Sequence, residues 1–375
     1  MDERLVGNER DARPAAPAAP VDPADPADLS EIASETVPEL VAAVETGTEP
    51  TTARGRWWSL PLRIGISLVM LAILYTRFPD DFAWSHVIPD WNRTTVLWLS
   101  GAALLTLAGI VLSAVRWQQV LRAMGLRERL RELIPLYFAG QFVSNVLPTT
   151  IGGDVLRVSR LSRQDAAATS EDTFASVVLE RLTGWLVLPL ITFFGLIVNP
   201  ELRTYGRAST VAAVIAAATL IALAGVLVLA DHPRLGGRFA KSEGWTRFVG
   251  AVHRGVAQLR AHPAAALGLV LAGLAYQLVL CAAALMVAAA LGFGWLGLTP
   301  LLAFFPAVLI AQVLPIGISG LGIREGAFVL FLTPLGVPAE QAVALGLVLY
   351  ALNLLVSLVG APAFAVGGRS PNAAT

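Results

Sequence analysis

Hydrophobic residues run along this chain in long blocks, not in alternation or in heptads. Six blocks, at about 59–76, 94–115, 173–198, 209–230, 264–291 and 339–366, approach or exceed the roughly 20 apolar residues that a membrane-crossing helix takes. Two further apolar stretches, 133–148 and 299–315, are shorter, and each runs into a segment rich in glycine and proline. They predict half-helices or re-entrant hairpins, because broken backbone at membrane depth is tolerated only where protein or water satisfies it. The expected fold is all-α and polytopic, with about six full spans and two broken helical hairpins.

The two breaks resemble each other. Val146–Arg157 reads "VLPTTIGGDVLR" and Val313–Arg324 reads "VLPIGISGLGIR", with Val, Leu, Pro, Ile, Gly and Arg at the same offsets. Pro148 and Pro315, with Gly152 and Gly322, mark the helix breaks. Arginine near the span ends sets orientation. Arg54 and Arg56 precede the first block; segment 116–132 holds five Arg and two acids, and 231–262 holds five Arg, Lys241 and two acids. Placing these on the cytoplasmic side makes the first hairpin enter from the cytoplasm and the second from outside, with both termini cytoplasmic. Similar segments entering from opposite faces predict an inverted repeat, whose interrupted helices are the usual pointer to a transporter's binding site.

Composition supports the membrane reading. The chain is 55% hydrophobic and 14% charged, against about 25% charged in soluble domains. Residues 1–50 hold 12 acids and 3 Arg, so 1–56 is expected to be a disordered, acidic, Pro/Ala-rich cytoplasmic tail. A transmembrane domain at 57–367 and a short tail at 368–375 follow. The single cysteine, Cys281, excludes an internal disulfide, and the four histidines form no ligand-spaced set. No nucleotide loop, metalloprotease motif or nucleophile elbow occurs. No catalytic residue, metal or cofactor is therefore assigned, and the protein is not expected to be an enzyme. The basic loops are explained by orientation, so no nucleic-acid partner is expected.

Charged residues inside apolar blocks are the candidate chemistry. Each costs roughly 2.5–3.5 kcal/mol at the bilayer centre on insertion scales. Arg157 and Arg324, four residues past Gly153 and Gly320, suit a phosphate by their fork of donors, and the restarting helices add free N–H groups. Asp154 or Ser319 could cap those restarts. Glu180 and Arg181 lie within a span. Ser176, Glu180 and Gly184 share one helix stripe, which turns Glu180 inward, toward Arg157 or Arg324. Arg181, facing elsewhere, needs another partner, and Glu325 adjoins Arg324. Tyr137, Gln141, Ser144 and Asn145 form one polar stripe; Tyr350, Asn353 and Ser357 form another. Interhelical hydrogen bonding is the first account of each stripe; taken with the breaks, the stripes could line one path. Arg157, Arg324, Gly153, Gly320, Asn145 and Gln141 are the candidate substrate contacts, with Glu180, Arg181, Glu325 and Asp154 as charge partners.

The segments "FVSNVLPTTIGGDVLR", "LERLTGW" and "GISGLGIREG" resemble the transmembrane, flippase-like region of lysylphosphatidylglycerol synthases and their stand-alone relatives, over about residues 60–366. The resemblance implies a lipid-handling protein of a bacterial cytoplasmic membrane. The expectation is translocation of an anionic phospholipid or lipid-linked intermediate, in a groove shared by the two breaks. Secondary transport of a small solute, an assembly role beside an envelope-lipid enzyme, and an intramembrane transferase stand as alternatives. A second copy of the chain is a further candidate partner.

Overall fold

The computed structural model describes residues 89–146, 152–164, 169–231, 263–313 and 320–366, with parts of 253–261. The acidic tail, the apolar block at 59–76, the C-terminal tail, Pro148, Pro315 and Ser319 lie outside the described residues. Ten α-helices are described and named here in chain order: α1 Arg93–Ala123, α2 Leu130–Val146, α3 Gly152–Gln164, α4 Ser170–Val198, α5 Arg207–Asp231, α6 Pro263–Ala290, α7 Leu298–Gln312, α8 Ile323–Leu332, α9 Ala339–Ser357 and α10 Ala361–Val366. Among the described residues, five helical segments are long and apolar enough to cross a membrane. This is a multi-pass, all-α membrane protein.

Local chemistry fixes the ends of the long helices. Asn92 Oδ1 accepts from the Thr95 N–H at 2.8 Å and starts α1, and Thr169 Oγ1 accepts from the Asp172 N–H at 3.1 Å at the start of α4. α1 ends where Gly125, at φ +88°, takes a conformation that favours glycine. The Gly125 N–H donates to Arg122 O and the Leu126 N–H to Leu121 O, the two bonds of a Schellman stop. Leu126 is thereby folded back onto Trp117 and Leu121.

Lipid cannot drive helices together by hydrophobicity, so small residues that admit close contact do much of the work. On α1, Ala102, Thr106, Gly109 and Ser113 are buried and line the packing on α6. A Cβ at Gly101 would meet Met286 and one at Gly109 would meet Tyr276, so the two helices run antiparallel. Large residues such as Leu97, Leu104, Ile221, Leu267 and Leu355 are exposed and face outward, as a hydrocarbon solvent allows.

The packing has an internal two-fold logic. The exchange of α1 with α6, α2 with α7, α3 with α8 and α4 with the span formed by α9 and α10 turns one set of neighbours into the other, and leaves α5 outside it. α4 packs on α7 as α9 and α10 pack on α2, and α3 packs on α4 as α8 packs on α9. Because α1 and α6, the first helices of the two sets, are antiparallel, the sets are inverted. This is the inverted repeat that the twin motifs predict.

The hairpins close by different means. In α2–α3 the backbones nearly touch: a Cβ on Gly153 would lie 2.1 Å from Gly140 O and from Ser144 Oγ. In α7–α8, stacked rings fill the gap, Phe304 on Phe331 at 5.4 Å and Phe305 on Phe328 at 5.8 Å. Glycine also sets the α4–α7 contact, where a Cβ on Gly195 would sit 2.5 Å from Ala303 N. Gly195→Ala is expected to lower stability by about 1–3 kcal/mol. Gly326→Ala, with open space around it, should be neutral or slightly stabilising. Thermal unfolding of both variants in detergent checks the contrast.

Candidate functional site

Four helices converge on one carboxylate. Glu180, on α4, is 1% exposed. Its Oε1 accepts from Arg116 Nη2 of α1 at 2.8 Å and from the Tyr137 hydroxyl of α2 at 2.8 Å. Its Oε2 accepts from Arg157 Nη1 of α3 at 2.9 Å. Arg157 turns its Nη2 to Asp154 Oδ1 at 2.6 Å. Asp154 Oδ2 in turn accepts from Arg181 Nε at 2.6 Å. Glu180 and Arg181, neighbours in sequence, therefore serve different partners, as their positions on a helix require. Asp154 lies within the first turn of α3 and directs its carboxylate to these arginines.

Aromatic rings and glycines shape the network. The Arg157 guanidinium lies 4.9 Å from the centre of the Trp117 ring and 4.4 Å from that of Tyr137. Trp117 Nε1 donates to Ser176 Oγ at 2.9 Å, so the polar end of that ring is satisfied where it is buried. Arg116 lies over Tyr276 at 5.3 Å. A Cβ on Gly184 would lie 3.3 Å from Arg116 Nη1, so the small residue leaves room for the guanidinium. The stripe of Ser176, Glu180 and Gly184 is the face of α4 that builds the site.

The second hairpin carries a smaller network. Glu325 Oε2 accepts from the Gly322 N–H at 2.6 Å and so caps α8 with its own side chain. Its Oε1 accepts from Arg324 Nη2 at 2.6 Å and Nε at 3.0 Å. Arg324 lies over the Tyr350 ring at 4.9 Å. Both arginines that follow the twin breaks are buried, Arg157 at 4% and Arg324 at 6% exposure. Among the described residues no hydrogen bond or ion pair joins the two networks, where the sequence anticipates one shared groove. The polar stripes of α2 and α9 lie between them, meeting where Asn353 Nδ2 donates to Asn145 Oδ1 at 3.4 Å. Gln141, on the same stripe, is half-buried. Gly153 and Gly320 point at protein: a Cβ on Gly320 would sit 2.6 Å from Gln312 Cβ.

Arg116 is the residue that sequence reading misplaces. The apolar block ends at 115, so Arg116 counts there among the orientation-setting arginines of a loop. In the structure α1 continues to Ala123 and buries Arg116 to 6% exposure. The buried Trp117, Val120 and Leu121 continue the helix period past the arginine and are the signal for it. Nε and Nη1 of Arg116 are buried without a hydrogen-bond partner, as are Asn145 Nδ2, Gln277 Oε1 and Thr192 Oγ1.

Residues 61–360 match the model of the lysylphosphatidylglycerol synthase transmembrane region, and the chain belongs to that family. This ties it to membrane lipid. It is also 26% identical to the glycosyltransferase AglD of Haloferax volcanii, in an alignment covering 81% of this chain and 55% of that protein. The chain thus spans little more than half the length of that relative. No solved structure matches it.

Proposed function

We propose that this protein moves an anionic phospholipid, or a lipid-linked intermediate, between the leaflets of its membrane, and that a headgroup phosphate is held by the spare donors of Arg116. One observation carries this reading: Arg116 is buried with two N–H-bearing nitrogens, Nε and Nη1, unpartnered. Buried donors are nearly always satisfied, and a charged guanidinium N–H donates strongly to a phosphate oxygen. Arg157 and Arg324, the arginines that sequence selects for this role, are engaged by Glu180, Asp154 and Glu325. In this reading Glu180 fixes Arg116 through Nη2 and leaves Nε and Nη1 to the ligand. The acyl chains stay in lipid, and the inverted repeat supports transport over a fixed site.

The test is a leaflet assay with a fluorescent anionic phospholipid in proteoliposomes. Arg116→Gln removes the spare donors and is expected to slow translocation about 10–100-fold, the value of one or two hydrogen bonds to a charged group. Tyr137→Phe removes one bond to Glu180 but keeps the Arg116 donors, and should cost less than about tenfold. An unchanged rate in folded Arg116→Gln protein would overturn the assignment. A glycosylated lipid product formed by the purified protein would replace it with the transferase reading.

A further inference from the structure

Just beyond the buried network, the end of α1 and the start of α2 border an open surface depression of about 730 Å³ lined by Gln118, Arg122, Arg127, Glu128, Arg129 and Leu130. Its size falls within the roughly 300–1,000 Å³ typical of small-molecule clefts. Three guanidinium groups and one carboxylate border it, a net of +2. Arg122, Arg127 and Arg129 are exposed, and among the described residues none of them is ion-paired. The nearby Glu132 is taken by Arg131.

These arginines are not scattered on a loose loop. The Schellman stop at Gly125 and the burial of Leu126 fold the chain back on α1. Gln118, itself buried, donates its Nε2 to Glu128 O at 2.8 Å and pins the segment that bears Arg127 and Arg129. The wall is held before any ligand arrives, which lowers the ordering cost of binding. A second, narrower depression of about 250 Å³ lies between α1 and α6, lined by Gln119, Arg122, Ala123, Ala265 and Gly268. Arg122 borders both spaces. A basic depression beside a slot bordered by Ala123, Ala265 and Gly268 as well as Gln119 and Arg122 suits a charged head with a chain attached.

We infer that this depression is a receiving site for a lipid whose headgroup carries two or more negative charges. Arg122, Arg127 and Arg129 donate to its phosphate oxygens, and the α1–α6 slot takes the start of its chain. The inference rests on the lipid reading above and narrows it. A net cationic headgroup, such as that of lysylphosphatidylglycerol, is repelled here. A head with a single negative charge leaves part of the positive charge unmatched.

The experiment is equilibrium binding to the full-length protein in nanodiscs, which requires no translocation. It therefore fails or succeeds separately from the leaflet assay. The probes are phosphatidic acid, phosphatidylglycerol, lysylphosphatidylglycerol and inorganic diphosphate. The expected order is phosphatidic acid tighter than phosphatidylglycerol by about tenfold, for one added charge-assisted hydrogen bond, with lysylphosphatidylglycerol weakest. The combined variant Arg122→Gln, Arg127→Gln, Arg129→Gln, altered only at exposed positions, should fold and lose the preference. Inorganic diphosphate should compete for the site but bind more weakly than phosphatidic acid. Equal binding of the three lipids, or a preference that survives in the variant, overturns the inference. Diphosphate binding as tightly as phosphatidic acid also overturns the lipid assignment and identifies the site as one for a free anion.

Discussion

Glu180→Ala is expected to destabilise the protein by about 3–5 kcal/mol, the cost of leaving buried charges without their counter-ion. One carboxylate accepts from Arg116, Tyr137 and Arg157, so its loss strands the Arg116 guanidinium and the Tyr137 hydroxyl and leaves Arg157 with Asp154 alone. The alternative places those charges in a hydrocarbon-bounded interior at further cost. Folded yield and thermal midpoint in detergent both read this. Glu180→Gln keeps the volume and one carbonyl acceptor but removes the charge, and should fall between wild type and alanine. Combining Glu180→Gln with Arg116→Gln should cost less than the two single losses together, because partners in one network do not add independently. Strict additivity would show that the carboxylate and guanidinium are not coupled.

Gly153→Ala is expected to cost at least about 3 kcal/mol, at or beyond the upper end of overpacking effects. The added Cβ would meet Gly140 O and Ser144 Oγ at 2.1 Å. Neither the carbonyl nor the small side chain can yield without spreading α2 from α3. That movement also pulls Arg157, on α3, away from Tyr137, on α2. The variant should therefore lose lipid movement together with stability, measured by the leaflet assay and by unfolding. Gly125→Ala provides the contrast: its surroundings are open, its φ is +88°, and the left-handed backbone alone should cost about 1–2 kcal/mol.

Much of the architecture is legible in the residue pattern. The apolar blocks at 173–198, 209–230 and 264–291 fall on α4, α5 and α6 almost end to end, because polar residues, proline or positive-φ glycines such as Gly206 and Gly292 bound them. The twin motifs disclose the repeat, because each half carries the same Val, Leu, Pro, Ile, Gly and Arg offsets between its paired helices. The inward face of α4 is readable from Ser176, Glu180 and Gly184. Arg116 is not readable from hydropathy, which registers a charge as the end of a span. Only the continued burial of Trp117, Val120 and Leu121 shows that α1 runs on. The likeness of the motifs also overstates the likeness of the sites. At the register the motifs set, Tyr137 of α2 corresponds to Phe304 of α7, and Ser144 to Ala311. The first hairpin therefore presents hydroxyls where the second presents rings and methyl groups, and the two arginines acquire different company.

The grip on Glu180 has a mechanical consequence. Helices α1, α2, α3 and α4 each contribute a group to a single carboxylate, so none of the four can slide without breaking a charged contact. They must travel as one block, and α10 travels with it, because Arg160 of α3 donates to Ala363 O at 3.0 Å and to Phe364 O at 2.7 Å.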